Sequence, residues 1–150
     1  MIPEALTQDP IVAALADVAT TAKFDFNELT VEIEPSKIVE AMGRVKRQLG
    51  FERLTSVTGV DRFPAEPRFE VVYHLQSIAG KKRLRLKARV SGEIDSVTSV
   101  YSGADWYERE TFDLFGIRFL NHPDLRRIMM PEEWEGHPLR KDYPITGTRY

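Results

Sequence analysis

The sequence predicts an α+β fold: helices packed on a mainly antiparallel sheet, followed by a short helix and an extended, proline-rich C-terminal tail. Three observations carry this prediction. Phe69, Val71, Tyr73 and Leu75 alternate along one stretch, and Leu84, Leu86, Ala88 and Val90 along the next, with a turn around Gly80 between them. Such period-two alternation marks strands with one buried face. Ile38, Met42, Val45 and Leu49 recur at helical spacing and make one apolar stripe. Beyond Gly116 stand four of the nine prolines, Pro123, Pro131, Pro138 and Pro144, which leave room only for brief regular structure. The expected organisation is a globular α+β domain over residues 1–115 and a partner-binding tail over residues 116–150.

Taken in order, Ile11 to Ala19 reads as a short helix entered at Asp9 and Pro10. Leu29 to Glu34 suits a strand, and Pro35 opens the striped helix that Gly50 closes. Leu54 to Val60, rich in Thr and Val, reads as a strand. The loop DRFPAEPR leads from it into the alternating hairpin. A further strand is expected near Ile94 to Val100. A helix from about Asp105 to Phe115 follows, with Asp105 as its cap, Glu108 three residues on as in a capping box, and Gly116 as its stop. The tail then carries Leu125, Ile128, Met129, Met130, Trp134 and Leu139, an apolar set seldom left in water. It is expected to lie along a neighbouring protein, the alternative being a fold back onto its own sheet.

Composition excludes more than it proposes. A chain of 150 residues with 42% hydrophobic and 29% charged side chains can build one domain core without staples. Net charge is −2 and is spread evenly, which gives a nucleic-acid role no support. There is no cysteine, so disulfides, thiolate-held clusters and the usual structural zinc sites are excluded. No apolar run approaches the roughly 20 residues of a membrane span, and the N-terminus lacks the features of a signal peptide. A cytosolic chain, or one docked at a membrane through partners, is expected. The nine glycines never stand one residue apart, so no GxGxxG dinucleotide loop occurs, and no Walker A or GxSxG motif occurs either.

The densest segment is Trp106 to Tyr143, which holds both tryptophans, two of the three histidines and fourteen charged residues. On its helix, Tyr107, Thr111, Leu114 and Phe115 cluster on one side, and Arg109, Glu110 and Asp113 opposite, with Trp106 among them. Two readings stand: an amphipathic helix whose solvated edge carries an Arg109–Asp113 pair, or a helix packed on two sides, once on its sheet and once on a partner. Glu108, Glu110 and Asp113 invite an acid–base role, but close spacing on one helix does not place two carboxyls across a cleft. His122 and His137 lack a metal-ligand spacing, and each precedes a proline in a loop. His74 has no triad partner in view. Arg83, Arg85, Lys87 and Arg89 put four cations on one strand face without interleaved aromatics. That pattern fits a solvated face, or one met by neighbouring acids, better than an RNA surface.

The runs W-Y-E-R-E-x-x-D-L-F-G-I and H-P-D-L-R-R-I-M-M-P-E-x-W-x-G-H-P-L-R-K-D-Y-P, covering Trp106 to Pro144, resemble the signature of the C-type subunit of the NADH–quinone oxidoreductase, respiratory complex I. Matching subunits of photosynthetic NDH complexes and membrane-bound hydrogenases are relatives. The resemblance implies a peripheral-arm subunit on the cytoplasmic side of the bacterial plasma membrane, touching that membrane only through the complex. It implies contacts with the large D-type subunit and with neighbouring iron–sulfur subunits, and no nucleic-acid partner. It implies no catalytic, cofactor or metal residue in this chain, with FMN, iron–sulfur clusters and quinone held by other subunits. As interface residues it nominates Trp106, Glu108, Arg109, Glu110, Asp113, His122, Arg126, Arg127, Met129, Met130, Trp134, His137, Arg140, Asp142 and Tyr143. Arginine forks and apolar anchors are the groups expected to carry such binding. The competing readings are the equivalent subunit of a hydrogenase or NDH complex, a stand-alone acid–base enzyme using Glu108, Glu110 and Asp113, and an RNA-binding module using the basic strand.

Overall fold

Alternation dictates the centre of the molecule. In a computed structural model that describes residues 2–146, the two alternating segments are β4 (Phe69–Ser77) and β5 (Lys82–Val90), paired antiparallel so that Tyr73 faces Leu86 and Leu75 faces Leu84. Their alternating apolar positions share one face and are buried, while Val72 is buried on the other. The other strands of the sheet are β1 (Ala19–Asp25), β2 (Glu28–Ile33) and β3 (Arg53–Asp61), and the order is β1-β2-β5-β4-β3. Within this sheet β2 and β5 run parallel, and the other described pairs are antiparallel. A parallel pair needs a long connection, and here α2 (Ile38–Arg47) and the β3–β4 hairpin supply it.

The helices α1 (Pro10–Ala14), α2 and α3 (Ala104–Phe115) cover one face of this sheet. Ile38, Met42 and Val45 of α2 are fully buried, as the stripe requires, and Gly50 follows the helix at φ 75°. α3 connects β6 (Glu93–Asp95) to a last strand, β7 (Arg118–Leu120), which runs parallel to β6. Each fully buried Leu, Ile or Val contributes about 1.5–3 kcal/mol of transfer free energy, so this single apolar layer is the main source of cohesion.

The opposite face is polar and internally paired. Glu70 meets Arg62 at 3.0 Å and Lys87 at 3.4 Å, and Arg85 meets Glu28 at 3.1 Å. Arg85 Nε also donates to His74 Nε2 at 3.2 Å, and His74 Nδ1 lies 3.0 Å from Ser56 Oγ. The basic strand is thus met by acids of its neighbours. Burial, then the Arg85 charge, holds the His74 imidazole below its ordinary pKa.

Several expectations are corrected. The first helix stops at Ala14, and Ala19 to Asp25 is an edge strand. Asp9 caps the helix as expected, accepting from the Ile11 amide at 2.8 Å. The Ala-rich run beyond it has no apolar stripe, so hairpin pairing with β2 decides its conformation. The strand expected near Ile94–Val100 ends at Asp95, and Val97 begins a turn whose carbonyl accepts from the Val100 and Tyr101 amides. The N-cap of α3 is Gly103, with no side-chain cap, so the Asp105–Glu108 capping box does not form. Gly116 does end α3, at φ 78°, donating to Phe112 O at 2.7 Å.

α3 reaches the sheet by resting the Phe115 ring on Gly59 of β3. A Cβ at Gly59 would stand 2.9 Å from Phe115 Cδ2, so the absence of a side chain sets the helix height. Gly59→Ala is expected to destabilise the fold by roughly 1–3 kcal/mol through overpacking. Thermal unfolding would show the loss, and Phe115→Leu in the same chain should recover part of it.

Candidate functional site

The site is built on the last turn of α3. A helix end leaves up to four carbonyls without intrahelical partners. Here residues 122–143 return to supply the donors. Arg127 Nη2 and His137 Nδ1 both approach Asp113 O, at 3.0 and 2.8 Å. The Leu139 amide donates to Leu114 O at 2.9 Å, and Arg140 Nε to Phe115 O at 2.6 Å. Cationic groups at a helix C-terminus also complement its dipole.

Asp113 itself is the anchor. Its side chain is fully buried. Oδ1 accepts from Arg127 Nε at 2.5 Å, while Oδ2 accepts from the amides of Ile128, Met129 and Met130 at 3.1, 2.6 and 2.8 Å. Three successive N–H groups around one carboxylate form an anion nest. Burial raises its pKa, but Arg127 and the three amides outweigh that and hold the carboxyl below the usual range. Arg127 then extends the scaffold, donating through Nη1 to Trp134 O and through Nη2 to Gly136 O.

A second clamp joins the β3–β4 loop to the same segment. Arg68 grips Asp61 with two parallel bonds, of 2.9 and 2.8 Å, and Asp61 also accepts from the Phe63 and Lys141 amides. Arg68 reaches on to Asp142 at 2.8 Å. Arg68, followed by the amides, holds the Asp61 carboxyl well below the ordinary range. Asp61 and Arg68 are not among the residues nominated from sequence. Their partners in the C-terminal segment lie some eighty positions away, and nothing local marks them.

A third cluster lies at the other end of α3. Glu108 is fully buried; Ser96 Oγ donates to it at 2.5 Å and the Val97 amide at 2.8 Å. Burial, partly offset by these two donors, pushes its carboxyl up to about 7. His122 lies beside it, with Nε2 4.0 Å from Glu108 Oε1 and 3.1 Å from Asp105 O. His122 Nδ1 accepts from the Asp124 amide at 2.9 Å, which leaves the ring proton on Nε2.

The structure divides the nominated residues. Glu108, Arg109 and Asp113 are buried and act inside the chain. Arg109 does not pair with Asp113; it points at the carbonyls of Arg126 and Arg127 and stacks over Trp106, 5.1 Å from the ring. The solvated-edge reading of α3 is therefore corrected: the helix is packed on two sides, and its second cover is its own chain. His122, Arg127, Met130, Trp134, His137, Arg140 and Tyr143 are half-buried, and Trp134 Nε1 donates to Tyr143 Oη at 3.0 Å. Trp106, Glu110, Arg126, Met129 and Asp142 are exposed. The expected extended tail is a series of turns and bends folded back on α3; residues 147–150 lie outside the described residues. Since Glu108 and Asp113 are sealed and filled by internal donors, the three-carboxylate cleft required by the acid–base reading does not form. Among the described residues no group of three or more His, Cys, Asp or Glu side chains is placed to hold a metal ion, and no helix is long and apolar enough to cross a membrane.

The overall fold is shared with a chain of a respiratory membrane complex. The protein superposes on one from the structure of the membrane-bound sulfane sulfur reductase (MBS), an archaeal respiratory membrane complex. The TM-score is 0.74 at 25% identity, over 90% of this chain and 84% of that one. Residues 31–149 match the family described as respiratory-chain NADH dehydrogenase, 30 Kd subunit. The C-type subunit of the NADH-quinone oxidoreductase of Citrifermentans bemidjiense is 49% identical over 123 residues, covering 80% of this chain and 76% of that protein. Its counterpart in Geotalea uraniireducens is 53% identical over 123 residues (80% and 75%), and that in Roseiflexus castenholzii 46% over 138 (89% and 79%). The chain belongs to the family of the 30 kDa, or C-type, subunit of respiratory NADH–quinone oxidoreductases.

Two outcomes follow from the clusters. Asp113→Asn would set an amide against Arg127 while leaving that cation buried, so it should cost on the order of 3 kcal/mol. Limited trypsin digestion should then cut faster at Arg126 and Arg127 than in the parent protein; equal cutting rates would refute the anchor. Glu108 binds its proton more tightly folded than unfolded, so its stabilising contribution is complete below about pH 4 and is lost as pH rises through about 7. Melting curves should show the parent losing about 3 kcal/mol relative to Glu108→Gln between roughly pH 5 and 8. Parallel profiles would contradict the assignment.

Proposed function

We propose that this chain is a non-catalytic subunit of the peripheral arm of a proton-translocating NADH–quinone oxidoreductase, lying on the cytoplasmic side of the bacterial plasma membrane. In this reading it supports the quinone module through the large D-type subunit and neighbouring iron–sulfur subunits. FMN, iron–sulfur clusters and quinone belong to those other chains, and membrane contact is indirect. Identities near 50% to NADH–quinone oxidoreductase chains, against 25% to the sulfur reductase chain, support this host.

The observation that carries the reading is the outer edge of α3 and its wrap. Trp106 and Met129 are 64% and 63% exposed, and Leu139 and Ile145 are exposed too. Met129 and Leu139 sit on a segment whose backbone Asp113, Arg127 and Asp61 bond at residues 128–130, 134, 136 and 141. A preordered apolar surface binds with little ordering cost, and a tryptophan stacked under an arginine is a common binding anchor. The nominated residues therefore divide their labour. Glu108, Asp113 and Arg127 shape the surface, and Trp106, Glu110, Arg126, Met129 and Asp142 present it.

The test is recovery of the D-type subunit with the tagged chain from solubilised membranes. Trp106→Ala combined with Met129→Ala should weaken recovery at least about tenfold, the scale of one strong interface anchor. The melting temperature should stay near that of the parent. Glu4→Ala, at an exposed site on a different element, should leave recovery unchanged. Equal recovery by all three proteins would sink this surface as the docking site.

A further inference from the structure

The end of the sheet opposite the Asp61 clamp carries a second exposed patch. The β1–β2 hairpin turns through Phe26 and Asn27, at φ 50° and 60°. This left-handed pair suits a two-residue hairpin, but asparagine and glycine are its usual occupants, and a phenylalanine there is conformationally costly. The Phe26 side chain is 97% exposed, so no packing within the chain offsets that cost. Phe24 and Ile78 are 57% and 58% exposed. They share this end because β2 and β5 begin side by side, with Leu29 opposite Leu84.

Charge at the patch is unbalanced in availability. Lys81, Lys82 and Arg83 are exposed and make no ion pair among the described residues. The nearby acids are already engaged: Asp9 caps α1, Glu28 pairs with Arg85, and Asp25 lies 3.7 Å from Lys23. Between the hairpin, the start of α1 and the start of β5 lies a cleft of about 440 Å³, lined in part by Ile11, Phe24, Phe26 and Leu29. That volume accepts one or two side chains.

We propose that this tip is a second protein-docking site, which takes an acidic segment of a neighbouring chain and seats one of its apolar side chains in the cleft. The free cations on the rim match carboxylates, and the aromatic wall matches an apolar insert. A flat anionic bilayer fits less well. A flat surface would touch only the rim and leave the recess between the hairpin and β5 unfilled. The inference rests on the proposed membership of a complex only in supposing that a neighbour is present.

The test places a photoreactive group at each surface of the assembled complex in native membranes: Phe26→p-benzoylphenylalanine at the tip and Trp106→p-benzoylphenylalanine on α3. The tip reporter should cross-link to a net-acidic segment of another chain. Lys82→Glu with Arg83→Glu should reduce that product at least about fivefold while the α3 product persists, which shows that the complex still assembles. If assembly fails with these reversals, Lys82→Gln with Arg83→Gln carries the same test. An α3 cross-link without a tip cross-link overturns the second site alone. A tip cross-link to lipid, to a second copy of this chain or to a neutral or basic segment overturns it too. Loss of partner cross-links from both positions would count against the proposed function as well.

Discussion

A helix that ends beneath other atoms must have its last carbonyls paired, and a carboxylate buried beside them must have its charge balanced. Both demands meet at Asp113. Its carboxylate gathers Arg127 and three consecutive amides, and its carbonyl takes Arg127 and His137. The irregular stretch after β7 could not hold its shape through its own backbone, since its prolines prevent regular pairing. It borrows order from the unpaired end of α3, and α3 is in turn sealed by it. Removal of either side leaves buried polar groups unsatisfied, which is more costly than the loss of the bonds alone.

This mutual completion bears on how a protein with few regular elements at its C-terminus can present a firm surface. Loops that bind partners usually lose conformational entropy at the moment of contact. Here the ordering is done within the chain, by charged groups that would otherwise be read as surface. The Asp61–Arg68–Asp142 bridge extends the frame to the sheet, and Glu108 ties the β6–α3 connection to the helix start. The exposed residues that remain, Trp106 and Met129 foremost, project from a surface already set.

The signature residues are legible in the sequence, and their partition is not. Trp106, Asp113 and Arg127 look alike in a string: polar or aromatic groups in a dense, charged segment. Burial separates them. Asp113 and Glu108 are sealed because residues ten to seventeen positions away fold over or beside them, whereas Glu110, only two or three positions off, stays in water. The Arg109–Asp113 pair is a reasonable local reading of i,i+4 spacing, and it fails because Arg127 offers a better-aligned fork. Asp61 and Arg68 carry no mark in the string because they look like ordinary loop residues.

What the chain determined by itself is the α+β class, the buried face of the central hairpin, the stripe of α2, the stop at Gly116 and the family that its C-terminal signature marks. Periodicity and left-handed glycine positions are local properties, so they can be read without coordinates. The edge strand β1, the inward turn of Glu108, the two clamps on the C-terminal segment and the exposed Phe26 tip were decided only by tertiary structure. Each depends on which distant donor, acceptor or strand arrives beside a residue. Spacing along the chain carries no record of that meeting.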